Sequence, residues 1–261
     1  IFGFLTTLLR LEGEEAPDAL CVTFDVHAPT FRHQASEAYK ATRKPMPEEL
    51  RMQVPVLKEV LDALRIPRYE LEGWEADDIL GTLAEQCRKN GDECFIATGD
   101  RDSLQLAHGG VKVLLARTKM GQAVTDIYDE NAILEEYGIT PGALIQVKAL
   151  QGDSSDNIPG VAGVGAKTAL DLIQRFGTLD YIYENLDTID IKPGVRTKLA
   201  NDREKAYLSL ELGTIKTDAP IDTNIENYVV SNRDTAGITA EFVRLELFSM
   251  IDKFHLDKSD I

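Results

Sequence analysis

The sequence is poor in the residues that mark disulfide-rich, zinc-binding and membrane-spanning proteins. Its three cysteines, Cys21, Cys87 and Cys94, are odd in number and form no CxxC spacing. This pattern argues against a disulfide scaffold or a zinc site and favours a reducing compartment. No run of about 18 apolar residues occurs, so no segment is predicted to cross a membrane. Basic residues are also scarce, because 28 Lys and Arg stand against 44 Asp and Glu and leave a formal charge of −16. Taken alone, that balance argues against nucleic-acid binding, which usually has a basic footprint.

The hydrophobic pattern predicts two halves of different character. With 43% apolar residues in 261, the chain has enough material for a full core. Before about residue 130, short apolar runs alternate with helical patterns, which predicts an α/β fold with a mostly parallel sheet. The predicted strands lie at 19–24, 93–98, 111–116 and 124–128, and the predicted helices at 1–9, 50–64 and 75–89. After that point helices dominate, at 129–137, 141–151, 166–176, 193–213 and 239–254.

Acidic residues stand at the ends of predicted elements. They form four groups, in chain order Asp25; Glu75, Asp77 and Asp78; Asp100 and Asp102; and Asp153 and Asp156. Each group alone has an ordinary explanation as a turn or as the favourable start of a helix. In a parallel sheet, however, ligands gather beyond the carboxyl ends of the strands. So many carboxylates at one edge must either become partly protonated or hold cations among them. An all-oxygen ligand set without His or Cys favours Mg²⁺ or Mn²⁺ over Zn²⁺.

A glycine-rich turn from Ile158 to Ala169 precedes a predicted helix. Glycines at Gly160, Gly163 and Gly165 permit a tight turn, and the free N–H groups of the following helix can bind phosphate. The segment lacks the Gly-Lys pair of a P-loop, and no strand precedes it as in a dinucleotide-binding fold. A helix-hairpin-helix that grips a DNA backbone fits the pattern, and a plain helix–helix turn is the alternative.

A basic stretch lies between the first strand and the next helix. Lys40 and Arg43 are three residues apart and are predicted to share a helix face, while Phe31 and Tyr39 offer stacking surfaces. The stretch fits a lid that holds a phosphate or a frayed strand. A solvated helix of mixed charge is the alternative, because acidic residues stand nearby.

The motifs, taken in order, resemble those of the 5′-nuclease domain of bacterial DNA polymerase I and its flap-endonuclease relatives. The matching segments are 22–25, 31–32, 39–43, 75–78, 99–102, 152–157 and 160–169, together with the ending 245–249. The resemblance covers nearly the whole chain. It implies an α/β fold with a PIN-like core at 1–140, a helical arch around 28–52, a helix-3-turn-helix (helix-hairpin-helix) subdomain at 141–230, and a C-terminal helical segment at 231–261 that packs back on the core.

The same resemblance implies two divalent sites. Asp25, Glu75, Asp77 and Asp78 match the group that holds the first metal. Asp100, Asp102, Asp153 and Asp156 match the group that holds the second, with Asp100 near both. Asp25 and Asp100 are accordingly expected to be catalytic as well, and the cofactors are two Mg²⁺ or Mn²⁺ ions.

The resemblance also implies the residues that contact DNA. Lys40 and Arg43 match arch residues that engage the scissile phosphate, and Arg32 and Tyr39 are expected to contact DNA beside them. The duplex is expected to be gripped by the hairpin residues Gly160, Val161, Gly163, Val164, Gly165, Lys167 and Thr168. In this family the hairpin can also hold K⁺ on backbone carbonyls.

The implied activity is structure-specific 5′-3′ exonuclease and flap endonuclease cleavage of DNA by a two-metal mechanism. The expected substrates are 5′ flaps, nicks and 5′ ends of duplex DNA in replication and repair. The expected protein is monomeric, bacterial, cytoplasmic and associated with the nucleoid, with no membrane contact, and a polymerase domain could follow it in the same chain. Three alternatives remain: a stand-alone 5′-3′ exonuclease, a DNA-structure-binding module without catalysis, and a Mg²⁺-dependent phosphohydrolase of small molecules.

The sequence departs from the family at its start. Family members begin with a strand that ends in Asp-Gly-Asn, whose Asp is a ligand of the first metal. This sequence begins downstream of that segment, at Ile1. Weak activity is therefore expected of the chain as it stands.

Overall fold

The computed structural model describes residues 1–230 and 235–256. Thirteen helices lie within these residues: α1 Phe2–Glu15, α2 Phe31–Ala35, α3 Glu48–Arg51, α4 Gln53–Ala63, α5 Ala76–Asn90, α6 Glu130–Tyr137, α7 Leu144–Gln151, α8 Ala166–Phe176, α9 Leu179–Glu184, α10 Pro193–Asn201, α11 Arg203–Gly213, α12 Thr235–Arg244 and α13 Phe248–Lys253. Five strands accompany them: β1 Val22–Thr23, β2 Arg68–Tyr69, β3 Cys94–Thr98, β4 Val111–Lys119 and β5 Gln122–Tyr128. Short 3-10 helices occupy Arg101–Leu106, Pro141–Ala143 and Ile225–Tyr228. No described helix is long and apolar enough to span a membrane.

The chain divides into two compact units. The terminal unit comprises Ile1–Phe24, Lys44–Glu70 and Asn224–Ile261, and the central unit comprises Asp25–Arg43 and Leu71–Thr223. The family-derived boundaries at 140 and 230 are a different division and remain a proposal. Of the C-terminal segment 231–261, residues 231–234 and 257–261 lie outside the described part of the chain.

The terminal unit is built around helices α1, α4, α12 and α13. Leu5, Leu61 and Phe242 are fully buried in its core. The strands β1 and β2 pair in parallel over two residues each, Val22 with Arg68 and Thr23 with Tyr69. The observed strand β1 is thus shorter than the strand predicted at 19–24. Ala19 lies outside it and forms an isolated antiparallel bridge with Val229.

The central unit contains a three-stranded sheet in the order β3-β4-β5. The strands β3 and β4 run parallel, as the alternation of strands and helices predicted. The strands β4 and β5 are antiparallel, because a two-residue turn at Met120 and Gly121, both at positive φ, joins them directly. The helix α5 begins with the predicted acidic group, and β3 ends just before Asp100, so the sheet and helix bring these residues to one region.

The helices α7 to α11 form the second core of the central unit. Its buried side chains include Leu150, Leu172, Leu179 and Leu199. The predicted single helix at 193–213 is wrong, because the chain breaks into α10 and α11 at Asp202, whose φ and ψ of −113° and 25° are not helical. Likewise 239–254 is two helices, α12 and α13, separated by a bend.

Candidate active site

The first acidic group lies at the start of α5. Glu75 is the N-cap residue, and its backbone N–H donates to Oδ2 of Asp78 at 3.1 Å, which closes a capping box. The backbone N–H of Ala76 donates to Oδ1 of Asp25 at 2.8 Å. The carboxylates of Asp25, Glu75 and Asp77 are therefore held around one helix terminus, whose dipole favours negative charge.

Asp78 has a different environment from its neighbours. It is 0% exposed, and the guanidinium of Arg32 donates to both of its oxygens at 2.7 Å. Arg32 is itself 2% exposed and also donates to the carbonyls of Leu212 and Thr214. The expectation that Arg32 contacts DNA and Asp78 binds metal does not match this conformation. The two form a buried, bidentate ion pair that fixes α2 against α5.

The second acidic group starts directly after β3. Oδ1 of Asp100 accepts the N–H of Asp102 at 2.8 Å and caps the 3-10 helix Arg101–Leu106. Farther along the chain, the turn after α7 carries Asp153 and Asp156. Asp102, Asp153 and Asp156 each offer a carboxylate oxygen within 4.8 Å of the others. Three of the four residues expected at the second metal thus converge.

A lysine that the sequence analysis did not single out lies inside this cluster. The ammonium of Lys148, on α7, contacts Asp102 and lies 2.7 Å from Oδ2 of Asp153. Lys148 is only 8% exposed. Although burial opposes ionisation, Lys148 and the Ser155 hydrogen bonds lower the pKa of Asp153 to about 2. The pKa of Asp102 is raised instead, because burial outweighs the same lysine there.

The basic residues of the predicted arch contact these acids directly. Nζ of Lys40 lies 2.7 Å from Oε1 of Glu75, and Nε of Arg43 lies 2.9 Å from Oδ1 of Asp156. The expectation that Lys40 and Arg43 share a helix face is wrong, because residues 37–42 form turns and Lys40 has a φ of 54°. The loop is held down by the N–H of Lys40, which donates to the carbonyl of Asp156 at 2.9 Å.

Tyr39 faces inward rather than outward. The residue is 3% exposed, and its hydroxyl donates to Glu75 at 3.2 Å. This geometry does not offer Tyr39 as a stacking surface for a DNA base in this conformation. It orients the Glu75 carboxylate instead.

The charges that remain unbalanced identify where a cation fits. Among the described residues, Asp77 and Asp100 form no ion pair with a basic side chain, whereas Glu75, Asp102, Asp153 and Asp156 each do. Burial, with Asp100, Asp25 and Glu75 nearby, raises the pKa of Asp77 to about 7. A small polar cleft is lined by Lys40, Glu75, Asp77, Asp100, Asp102 and Asp156. A set of oxygen donors with excess negative charge fits hard divalent cations.

The glycine hairpin is rigidly supported from α10 and α11. Gly160 has a φ of 62°, and a Cβ there would lie 2.3 Å from the backbone nitrogen of Gly152. The N–H of Ala162 donates to Asp202 at 2.8 Å, and Lys198 donates to the carbonyl of Gly163 at 3.0 Å. The break at Asp202 therefore aims its carboxylate at the hairpin.

The hairpin residues divide into core and surface. Val161 and Val164 are 2% and 3% exposed and pack in the core, so only their backbone is available to a ligand. Gly163, Gly165 and Lys167 are exposed. No side chain caps the N-terminus of α8, which leaves its first N–H groups open to an anion.

Family models match both parts of the chain. Residues 1–138 match the 5′-3′ exonuclease, N-terminal resolvase-like domain, and residues 139–236 match the 5′-3′ exonuclease, C-terminal SAM fold. The chain belongs to the 5′-3′ exonuclease family. The resemblance inferred from the motifs and the α/β fold with a helical second part are thereby confirmed.

Relatives of this exonuclease chain include DNA polymerase I of two bacteria. The polymerase of Caldicellulosiruptor bescii is 39% identical over 258 residues, which are 99% of this chain and 30% of that protein. The thermostable polymerase of Thermus filiformis is 41% identical over 98% of this chain and 30% of that protein. The chain thus spans less than a third of the length of these relatives.

Solved structures share the exonuclease fold. The T5 D15 protein co-crystallised with metal ions matches with a TM-score of 0.67 at 22% identity, over 82% of both chains. The catalytic core of Rad2 in complex with a DNA substrate matches with a TM-score of 0.61 at 20% identity, over 94% of this chain and 79% of that one.

The sequence analysis did not single out three residues that contact the acids or the hairpin: Lys148, Lys198 and Asp202. Lys148 lies among apolar residues of α7, and a lysine on a buried helix face is unusual enough to indicate a paired or functional side chain. Asp202 and Lys198 carry no such signal, because no Gly or Pro marks the break between α10 and α11.

Proposed function

We propose that this chain is a structure-specific 5′-3′ deoxyribonuclease that hydrolyses phosphodiesters near 5′ ends, nicks and 5′ flaps of DNA. The convergence of acidic groups from the end of β3, the start of α5 and the turn after α7 in one cleft carries this proposal. Family membership gives it independent support. A solved structure of similar fold is that of the T5 D15 flap endonuclease in complex with DNA and metal ions, which supports the same ligands for this chain.

The proposed metal ligands divide into two sets. The first divalent cation, Mg²⁺ or Mn²⁺, would be held by Asp25, Asp77 and Asp100. The carboxylate of Glu75 would lie beside this ion. Asp102, Asp153 and Asp156 would hold the second. Two such ions, when bound about 4 Å apart, supply Lewis-acid stabilisation of the scissile phosphate and an activated water.

The protein's own basic groups have separate proposed tasks. Lys40 pairs with Glu75, and Arg43 pairs with Asp156. When DNA binds, each basic side chain would leave its carboxylate and contact the scissile phosphate, which would hold that phosphate in the cleft. The backbone N–H groups after Gly165 and the ammonium of Lys167 would bind a phosphate of the duplex without reading its sequence. Such contacts position DNA without specifying its bases, as a structure-specific nuclease requires.

K⁺ at the hairpin also remains a proposal. Backbone carbonyls are suitable oxygen donors for it. The carbonyl of Gly163, however, already accepts the Lys198 ammonium, so K⁺ would compete with that contact. We further propose that the protein acts as a monomer in the bacterial cytoplasm, associated with the nucleoid, and that a polymerase domain is linked to it, as the length of its relatives suggests.

Replacement of Asp25 or Asp100 with alanine tests the assignment. Both variants are expected to lose cleavage of a 5′-flap substrate in Mg²⁺ while retaining flap binding in Ca²⁺. Excess protein in single-turnover reactions allows weak activity to be measured. Asp187→Ala, an exposed acid outside the cleft, is the matched control and should cleave normally. Normal cleavage by both Asp25→Ala and Asp100→Ala would refute the roles given to these residues.

A further inference from the structure

The second carboxylate group already contains a cation of its own. The Lys148 ammonium contacts Asp102 and Asp153, and its side chain is 10% exposed. The third acid, Asp156, pairs with Arg43 instead. Lys148 is therefore the basic side chain that joins the two acids contributed by different segments, the 3-10 helix after β3 and the turn after α7.

The position of this ammonium conflicts with a metal ion. A divalent cation bound by Asp102 and Asp153 needs the same oxygens that Lys148 contacts, and two positive groups cannot share them at close range without strong repulsion. No comparable conflict exists at Asp77 and Asp100, which form no ion pair with any described basic residue. A metal ion at the second set of ligands must therefore displace the Lys148 ammonium, whereas an ion at Asp77 and Asp100 displaces no described basic side chain.

The surroundings of Lys148 fix its stem and leave room for its ammonium. The neighbouring residues Ala149 and Leu150 are 0% exposed, so the helix backbone is anchored. Beside the carboxylates lies a cavity of about 270 Å³, whose lining includes Lys148, Arg101, Gln105, Leu144 and Gln151. A rotamer change would move the ammonium from the acids into this space without unfolding α7.

We propose that Lys148 is the internal counter-ion of the second carboxylate group and that its ammonium must leave before a divalent cation binds there. The inference rests on the proposed two-metal function and adds the order in which the two ions bind. The metal-free site is held together by Lys148, the first ion binds at Asp77 and Asp100, and the second binds more weakly because it displaces the lysine.

Mn²⁺ titration by calorimetry of the whole chain, without DNA, tests this order. Lys148→Met keeps the length of the stem and removes its charge. It should bind the second Mn²⁺ about tenfold more tightly than the wild type does, a change of about 1.4 kcal/mol. Metal-free Lys148→Met should also melt at a lower temperature than the wild type, and Mn²⁺ should reverse this deficit.

Two further variants complete the test. Lys148→Arg keeps the charge and adds donors, so its second site should stay as weak as the wild-type site or weaken further. It also serves if Lys148→Met does not fold. Lys89→Met removes a charge from an exposed ion pair with Glu85 and should leave both Mn²⁺ affinities unchanged.

Equal or weaker second-site binding by Lys148→Met would overturn the inference, as would tighter binding by Lys148→Arg or the binding of a single ion by all forms. These outcomes are separate from failure of the proposed function. That failure would appear as a wild-type protein that binds two ions and flap DNA yet cleaves nothing.

Discussion

Asp77 and Asp78 are sequence neighbours with opposite environments. Successive helix residues point in directions about 100° apart, so one faces the carboxylates and the other faces Arg32. The sequence identified both as candidate ligands, because the acidic start of a helix was visible in it. Which of the two receives the buried arginine depends on how α2 packs, and no local pattern contains that information. In this structure Asp78 is therefore neutralised by Arg32, whereas Asp77 forms no ion pair with a described basic residue.

Asp77→Asn should stabilise the metal-free protein at neutral pH. Burial and nearby acids raise the pKa of Asp77 from 3.8 to about 7, so the folded state holds a proton that the unfolded state has lost between these values. Stability from this group is therefore full below about pH 4 and is lost as the pH rises towards 7. Removing the charge should raise the free energy of unfolding at pH 7.5 by on the order of 1–3 kcal/mol and by little at pH 4.

Urea denaturation in EDTA at the two pH values measures this difference. Asp187→Asn, at an exposed position, is the control and should show no such pH dependence. An equal effect of Asp77→Asn at both pH values would rule out the electrostatic explanation.

Arg32→Met should destabilise the fold severely. It leaves the Asp78 carboxylate buried without its partner, and breaking a buried ion pair in this way costs about 3–5 kcal/mol. Arg51→Met removes an exposed pair with Glu48, whose side chains are 70% and 61% exposed, and should cost less than about 1 kcal/mol. Thermal unfolding of both variants compares them. A small loss in Arg32→Met, similar to that of Arg51→Met, would contradict the structural role of this pair.

The hairpin shows which features of an element a sequence reveals. Its glycines and the start of α8 were predictable, because glycine spacing and a following apolar periodicity are local signals. The contacts that hold the hairpin in place were not predictable. They are made by Asp202 and Lys198, which lie at or near a helix break that the sequence pattern does not show. The short α9 also went unpredicted. It begins at a Thr178 cap, and its apolar side chains face the core of α7 to α11.

Gly160→Ala should damage the hairpin far more than Gly194→Ala. At Gly160, positive φ and a close backbone approach both oppose a Cβ, so the cost should exceed about 1–2 kcal/mol. Gly194 is helical and has nothing within 4 Å of an added Cβ, so alanine should be neutral or stabilising by about 0.5–1 kcal/mol. Urea denaturation and flap binding in Ca²⁺ should separate the two variants. Equal stability would show that the turn tolerates a side chain.

The whole molecule is strongly acidic, although it is assigned to a family that acts on DNA. The net charge of −16 alone argues against DNA binding, but net charge does not show where the acidic and basic side chains lie. Five of the 44 acidic residues line one cleft that suits cations, and the basic side chains that contact these acids are few. Fold class and family followed from local motifs, whereas the pairing of each acid required the tertiary structure.

DNA affinity should therefore depend on both divalent cations and salt. Without divalent ions, repulsion from the cleft should weaken flap binding, and Ca²⁺ should strengthen it. The logarithm of the association constant should fall linearly with the logarithm of salt concentration, by about 0.9 for each phosphate contact. Fluorescence anisotropy with a labelled flap measures both effects, and affinity that is insensitive to salt would contradict the proposed backbone contacts.

The central claim is metal-dependent cleavage at the carboxylate cleft. The most direct measurement is the single-turnover rate of 5′-flap cleavage by wild-type protein and Asp100→Asn across a range of Mg²⁺ concentrations. The account predicts no cleavage in EDTA, a steeper than first-order rise with Mg²⁺, and loss of the rate in Asp100→Asn while flap binding persists. Cleavage that survives in EDTA, or an undiminished rate in Asp100→Asn, would contradict it.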